Sequence, residues 1–307
     1  MIKMLLRLLD ILDNLDRRII YIFIALALSL PSVMHKSMKP AEIASATKAY
    51  ELIEKLSPEK AVLISLDWGP NTLAENKPQS EVIIEHLLRR RIPFAIMSAY
   101  ALAAPFLDSL PFEIARKLEK ELPDQQWHYG KDWVNLGYQP GTVLMIQGFA
   151  RSSDLAAHLK SDAKGTPLTS LPAFAGVHTL QDIQALVQIS SLSGMMSLWV
   201  QFFQANNHRP LFLHGCTSIS IPEVYNYLLS GQLSAAHEGV AGAAWHDYLL
   251  SERFPAREPT SAISTNTSLS FAQLVIMAFI LLGNISLLGG WLQQRKEEQA
   301  SSPVEEL

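Results

Sequence analysis

The chain has 307 residues, a formal net charge of −4, a hydrophobic fraction of 49% and a single cysteine, Cys216. The charge balance and the lack of a basic patch with interleaved aromatics argue against nucleic acid as a partner. One cysteine excludes an intramolecular disulfide and any multi-cysteine zinc or iron–sulfur site. The hydrophobic excess lies at the two ends, leaving a central part large enough to bury a core without disulfides or metal.

The first segment, residues 1–18, places Leu5, Leu8, Leu12 and Leu15 at helical spacing, with Lys3, Arg7, Asp10, Asp13 and Asp16 between them. This suits a cytoplasmic amphipathic helix on a membrane surface or a frayed continuation of the helix that follows. Ile19 to Met34 is uncharged and apolar, and residues 19–35 are expected to form a first transmembrane helix. The run is short against the 20 or so residues of a typical span, but flanking Arg and Lys side chains can snorkel. A signal peptide is the rival reading, because Ala25-Leu26-Ala27 resembles a cleavage site.

Residues 36–250 read as an extracytoplasmic domain. Short apolar runs at Ala61–Leu66, Pro93–Ser98, Thr142–Gln147, Ala185–Ser190 and Pro210–Leu213 suit strands buried on both faces. Between them lie helical patterns at Ser80–Arg91, Ala101–Glu121, Ser152–Lys160 and Met195–Asn206, followed by Ile221–Ser230 and His237–Leu250. The alternation predicts an α/β fold: a three-layer, Rossmann-like or flavodoxin-like, mostly parallel sheet of about five strands. Strand order is not legible. Two long connections, Asp124 to Gly141 and Gly165 to Val177, have the length of functional or interaction loops.

Residues 251–268 turn polar and read as a linker. Leu269 to Leu292 is uncharged over the length of a bilayer and is expected to be the second transmembrane helix. Trp291 marks its interface, Gln273 and Asn284 are polar residues inside it, and Ser286 with Gly290 forms a small-xxx-small pair. Arg17 and Arg18 precede the first segment, and Arg295 and Lys296 open a tail over 293–307. The positive-inside rule therefore places both termini in the cytoplasm and the domain outside, with Lys36 and Lys39 weighing against it.

Several segments carry a resemblance: Asp67-Trp68-Gly69-Pro70, Val134-Asn135-Leu136-Gly137-Tyr138-Gln139-Pro140-Gly141, Gly165-Thr166-Pro167-Leu168, Tyr227-Leu228-Leu229-Ser230-Gly231-Gln232-Leu233 and Leu281-Leu282-Gly283-Asn284. In these the chain resembles an uncharacterised family of bacterial membrane-anchored proteins with an anchor–domain–anchor layout. It departs after Leu233, where His237-Glu238-Gly239 stands in place of a glycine-rich stretch. The resemblance implies the layout, in a bacterial inner membrane, and no activity.

Open α/β sheets bind ligands beyond the carboxyl ends of their strands. That rule nominates Asp67, Ser98, Gln147, Arg151 and Ser190 as a ligand edge, with Asp67 either the anchor of a site or the cap of a turn. Cys216 and His214 could face one side, but without a third orienting group a buried structural cysteine is the better reading. His237-Glu238 lacks a second histidine four positions on, and His246 lies too far along for a zinc pair. Ser161 with Lys164 and Ser57 with Lys60 match Ser-x-x-Lys without companion motifs. Ser191-Leu192-Ser193-Gly194 is not a nucleophile elbow, and neither a P-loop nor Gly-x-Gly-x-x-Gly occurs. No metal or cofactor is implied. Trp199, Phe202 and Phe203 read as core, whereas Trp127, Tyr129, Trp133 and Tyr138 crowd one loop and are either a partner surface or packed beneath it. The function expected is a non-catalytic accessory or scaffold subunit that contacts the lipid bilayer and other membrane protein subunits or itself. The alternative is a small-ligand-binding, hydrolase or transferase domain working at the carboxyl edge.

Overall fold

The computed structural model describes residues 16–34, 37–204 and 209–301. Leu5, Leu8, Leu12 and Leu15, and with them the amphipathic pattern, lie outside the described residues. The chain forms two compact units, one of residues Met38–Asn266 and one of the segments up to Ser37 and from Thr267.

The first helix, α1, spans Arg17–Val33. The larger unit then opens with α2 (Ala44–Lys55) and runs β1 (Val62–Asp67), α3 (Leu73–Arg89), β2 (Phe94–Ser98), α4 (Ala104–Glu121) and β3 (Trp133–Tyr138). Two short helices follow, α5 (Val143–Arg151) and α6 (Leu155–Leu159), then β4 (Ala185–Ser190), α7 (Met195–Phe203), β5 (Leu211–Cys216), α8 (Ile221–Leu229), β6 (Ala235–Glu238) and α9 (Gly239–Arg253). The last helix, α10, is continuous over Ser261–Ser301.

The six strands form one sheet in the order β3-β2-β1-β4-β5-β6, and every pairing is parallel. This is the doubly wound, Rossmann-like order, with the switch in direction between β1 and β4. Alternate strand residues feed two cores. Val62, Ile64, Phe94, Ile96 and Val187 pack under α2, α3, α4, α9 and the first turn of α10. Leu63, Ala95, Met97, Leu186 and Phe212 pack under α5, α6, α7 and α8. The three-layer expectation holds, with six strands where about five were expected.

Two elements differ from the sequence reading for physical reasons. Thr142–Gln147 is not the third strand; Val143 onward is α5, which buries Met145, Ile146 and Phe149 on one side. A six-residue apolar run does not separate strand from helix by periodicity. The third strand is Trp133–Tyr138, hidden in the expected loop because Asn135 and Gly137 interrupt its apolar pattern. The sixth strand, Ala-Ala-His-Glu, is short and carries neither β-branched nor large apolar residues.

The long loops pack on each other. The Tyr129 hydroxyl donates to Asp162 Oδ2 at 2.7 Å, the Ala173 N–H donates to the Gly130 carbonyl at 2.9 Å and the Ala163 N–H to the Asn135 carbonyl at 2.8 Å. Trp133 is in the core, and Trp127 is buried with its indole N–H on the Leu88 carbonyl at 2.9 Å. Tyr129 is partly buried, stacked with Phe112 and edge-on to Trp133. Of the four aromatics, Tyr138 alone is exposed.

Residues 251–268, read as a linker, run as the end of α9, a short turn and the first two turns of α10. Among the described residues, one helical stretch, Ser261–Trp291, is long and apolar enough to cross a membrane. The 17 residues of α1 cover only about 25 Å of a hydrocarbon core some 30 Å thick, and two of them are arginines. The expectation of two spans is therefore met for the second segment only. Within the terminal unit, the Phe23 and Phe279 rings meet edge to face at 5.9 Å, so α1 and α10 lie side by side there. Ser286 is buried in this unit while Ile285, Leu287 and Leu288 are exposed.

Candidate functional site

β1 ends in the switch crevice, and its last residue, Asp67, is fully buried. Strand alternation turns Ser65 and Asp67 to the face that carries Leu63, and α7 covers that face. The Asp67 carboxylate accepts the Ala99 backbone N–H at 2.8 Å, the Ser65 hydroxyl at 2.9 and 3.0 Å, and the Gln188 amide at 3.1 Å. The Ser98 hydroxyl lies at 3.4 Å. Burial pushes the Asp67 carboxyl above the ordinary aspartate range, and the donors of Ala99, Gln188, Ser65 and Trp199 pull the other way. Ser190 donates its hydroxyl to the Asp67 carbonyl at 3.3 Å and accepts the Leu192 N–H at 3.0 Å.

Three of the five nominated residues, Asp67, Ser98 and Ser190, therefore meet. Gln147 and Arg151 do not join them. They sit one turn apart on α5, where the Gln147 amide oxygen accepts from both terminal nitrogens of Arg151 at 3.1 Å. Their nomination followed from reading α5 as a strand.

The edge above Asp67 is closed by the loops that follow β1 and β2. Trp68 is fully buried, donates its indole N–H to Ser80 at 3.2 Å and packs on Phe106 at 4.5 Å. A side chain at Gly69 would come within 3.0 Å of the Tyr100 ring. Further along, Glu75 Oε2 takes both the backbone N–H and the hydroxyl of Ser218 at 2.7 Å, so the first free N–H groups ahead of α8 are occupied by the protein's own carboxylate. A groove of about 470 Å³ lies elsewhere, lined by Glu113, Arg116, Lys117, Lys120, Glu121 and Glu258.

Cys216 is buried and donates toward the His237 carbonyl at 3.5 Å. Burial pushes its thiol up to about 12, which leaves it an unreactive thiol. His214 is pushed down to about 4 by burial and does not activate it.

Sequence reasoning missed two buried polar clusters on the opposite face. Arg257 is buried and holds Glu85 through Nε and Nη2 at 2.9 and 2.8 Å, Asp247 Oδ1 at 2.6 Å, and the Asp247 carbonyl and Ser251 hydroxyl at 2.9 and 2.8 Å. The second cluster is a row of three histidines. Glu54 Oε1 lies 3.0 Å from His86 Nε2, His86 Nδ1 lies 2.8 Å from His246 Nε2, and His246 Nδ1 lies 2.8 Å from His237 Nε2. His237 and His246 failed as a zinc pair by spacing, yet the corner between β6 and α9 brings them together. Among the described residues, no group of three or more His, Cys, Asp or Glu side chains is arranged to hold a metal ion.

The chain matches no family model, and comparison with curated proteins and with solved structures finds no match either.

Proposed function

We propose that this chain is a membrane-anchored α/β domain serving as a non-catalytic accessory or scaffold subunit of a membrane protein complex. The observation that carries the reading is the filled switch crevice: where a doubly wound sheet takes its ligand, Asp67 is fully buried and its carboxylate is held by the Ala99 N–H, the Ser65 and Ser98 hydroxyls and the Gln188 amide. The loops and helices that follow the strand ends also present exposed apolar side chains, among them Leu102, Tyr138, Leu144 and Ile219. Such residues suit a docking face for another membrane subunit. Exposed Ile22, Leu26, Leu281 and Leu287 suit α1 and α10 as two lipid-facing spans. The basic residues at both ends favour cytoplasmic termini and an extracytoplasmic domain.

Purification in mild detergent at native expression is expected to recover a partner or a homo-oligomer, and a monodisperse monomer refutes the reading. Protease added to intact spheroplasts is expected to remove the domain and spare both termini; digestion of a C-terminal tag with the domain intact inverts the topology. The raised Asp67 carboxyl favours a second reading, a small-ligand site exposed when the Tyr100 loop opens. A thermal-shift screen tests it: a ligand at about 100 times its Kd adds about 2.7 kcal/mol.

A further inference from the structure

On the face of the sheet opposite Asp67, α2, α3, α9 and β6 converge on the histidine row. His86, His237 and His246 are each fully buried, and Glu54 at the outer end is partly exposed. The row has a direction. The His86 bond holds the Glu54 carboxyl below the usual glutamate range, so at neutral pH Glu54 is ionised and can only accept. Burial holds all three imidazoles neutral. His86 must then carry its proton on Nε2 and accept at Nδ1. The same logic gives His246 a proton on Nε2, and His237 as well. Every N–H points toward Glu54, and His237 Nδ1 is left as a bare acceptor with no partner.

That acceptor does not stand alone. His237 pairs in register with Gly215 of β5, and paired residues of parallel strands share a face. A Cβ at Gly215 would overlap Gln79 Oε1, so the missing side chain is what lets Gln79 reach the sheet beside His237. Gln79 donates both amide hydrogens, to the Glu75 and Cys216 carbonyls at 2.9 Å. Its buried Oε1 is therefore a second unpartnered acceptor. Asn76, one turn earlier on α3, is buried with both amide atoms unpartnered. Two inward acceptors with no donor call for a small molecule that supplies two hydrogens, and water is the smallest.

We propose that Glu54, His86, His246 and His237 form a proton relay between the domain surface and a buried water site walled by His237 and Gln79. A proton arriving from that water at His237 Nδ1 drives the Nε2 proton of His237 to His246 Nδ1. The Nε2 proton of His246 then moves to His86 Nδ1, and that of His86 to Glu54 Oε1. The water is left as hydroxide and Glu54 as the acid, and each ring ends neutral in its other tautomer. The reverse passage restores the start, so the net event is exchange of a proton between the buried water and the Glu54 carboxylate. The inference goes beyond the accessory-subunit reading and does not rest on it. The groups facing the relay are Tyr50, stacked on His86 at 4.9 Å, and Arg90, 3.7 Å from Glu54. Arg253 acts on Glu54, Glu85 on His86, and Arg257 on His246; Asp247 follows His246 on α9 with Oδ1 bound to Arg257. Of these, Glu54 alone is a carboxylate bonded to a relay ring.

The test uses the full-length protein in lipid nanodiscs, labelled with ¹⁵N in its histidine rings. The expected result is Nε2–H on His86, His237 and His246, with magnetisation transfer from solvent water to the His237 ring. Glu54→Gln, whose amide can donate as well as accept, is expected to release the direction. A second set of tautomers then appears at unchanged melting temperature, and His246 N–H exchange through the folded state is lost. Gln79→Met is expected to weaken the water signal at His237 and leave the tautomers alone. An Nδ1–H on any of the three wild-type rings overturns the proposal. So does the absence of a water signal at His237, a water signal unchanged in Gln79→Met, or tautomers and exchange in Glu54→Gln that match wild type.

Discussion

Replacing Arg257 with methionine keeps most of the side-chain volume and removes the charge from a site where Arg257, Glu85 and Asp247 are shielded from water. Five hydrogen bonds disappear. The two carboxylates do not suffer equally. Glu85 keeps Arg89 Nε at 2.8 Å, whereas Asp247 keeps only the Thr260 N–H at 3.2 Å and already has an unpartnered Oδ2. Removing one partner of a buried ion pair costs about 3–5 kcal/mol, and the stranded Asp247 puts this case toward the upper end. Total stabilities are roughly 5–15 kcal/mol, so the variant should lose a large share of its margin. Urea unfolding of the full-length protein in detergent reads the difference. The loss should also shrink on acidification. The wild type holds Glu85 below its ordinary value, so it loses that contribution as pH falls through the folded pKa. The variant, which lacks the Arg257 guanidinium beside Glu85, has less of that contribution to lose. A loss under about 1 kcal/mol, or one unchanged from neutral pH to well below the ordinary glutamate value of 4.5, would refute the reasoning.

Three further outcomes are expected. Burial raises the Asp67 carboxyl, so its ionised form subtracts from stability as pH climbs past the unfolded value of 3.8. Asp67→Asn should therefore be neutral or stabilising at neutral pH, since the unpartnered Gln188 Oε1 can take the new amide hydrogens. Asp67→Ala, which strands the Ala99 N–H, should cost about 1–3 kcal/mol, and equal losses in paired denaturation curves would sink the distinction. The buried histidines, with His237 pushed down to about 3 and His214 to about 4, protonate in the unfolded chain first. Stability should be full above the ordinary histidine value of 6.5 and fall below it, each adding up to about 1.4 kcal/mol per pH unit; a flat urea midpoint over that range contradicts it. Leu144→Glu and Ile219→Glu, both at exposed positions, should change stability by less than about 0.5 kcal/mol yet reduce partner recovery in detergent pull-downs, and undiminished recovery removes this surface from the docking face.

The layered architecture was legible because Val62–Asp67, Phe94–Ser98 and Ala185–Ser190 are apolar runs too short for helices and bounded by polar turns. The same logic misplaced Thr142–Gln147, where a run of equal length buries one side only. It passed over Ala235–Glu238, whose strand character comes from pairing with β5 rather than from its side chains. Asp67 with Ser98 and Ser190 followed from the carboxyl-edge rule, but their burial did not, because it depends on the Ala99 N–H after β2 and the Gln188 amide of β4 closing on the carboxylate from elements distant in sequence. The histidine row was out of reach: His86 and His246 are 160 residues apart, and no local pattern records which helices become neighbours.

The contact between α9 and β6 depends on an atom that is not there. A Cβ at Gly242 would lie 2.9 Å from the His237 Cα and 3.0 Å from its carbonyl carbon, backbone positions that cannot step aside. His246 lies four residues further on the same side of α9, so the glycine sets how near the second ring comes to the third. Lineages that retain His237 and His246 as touching rings should tolerate no other residue at 242, while lineages that have lost either histidine should let that position drift. The glycine thus becomes a fingerprint by which a descendant that keeps the row can be told from one that keeps only the fold.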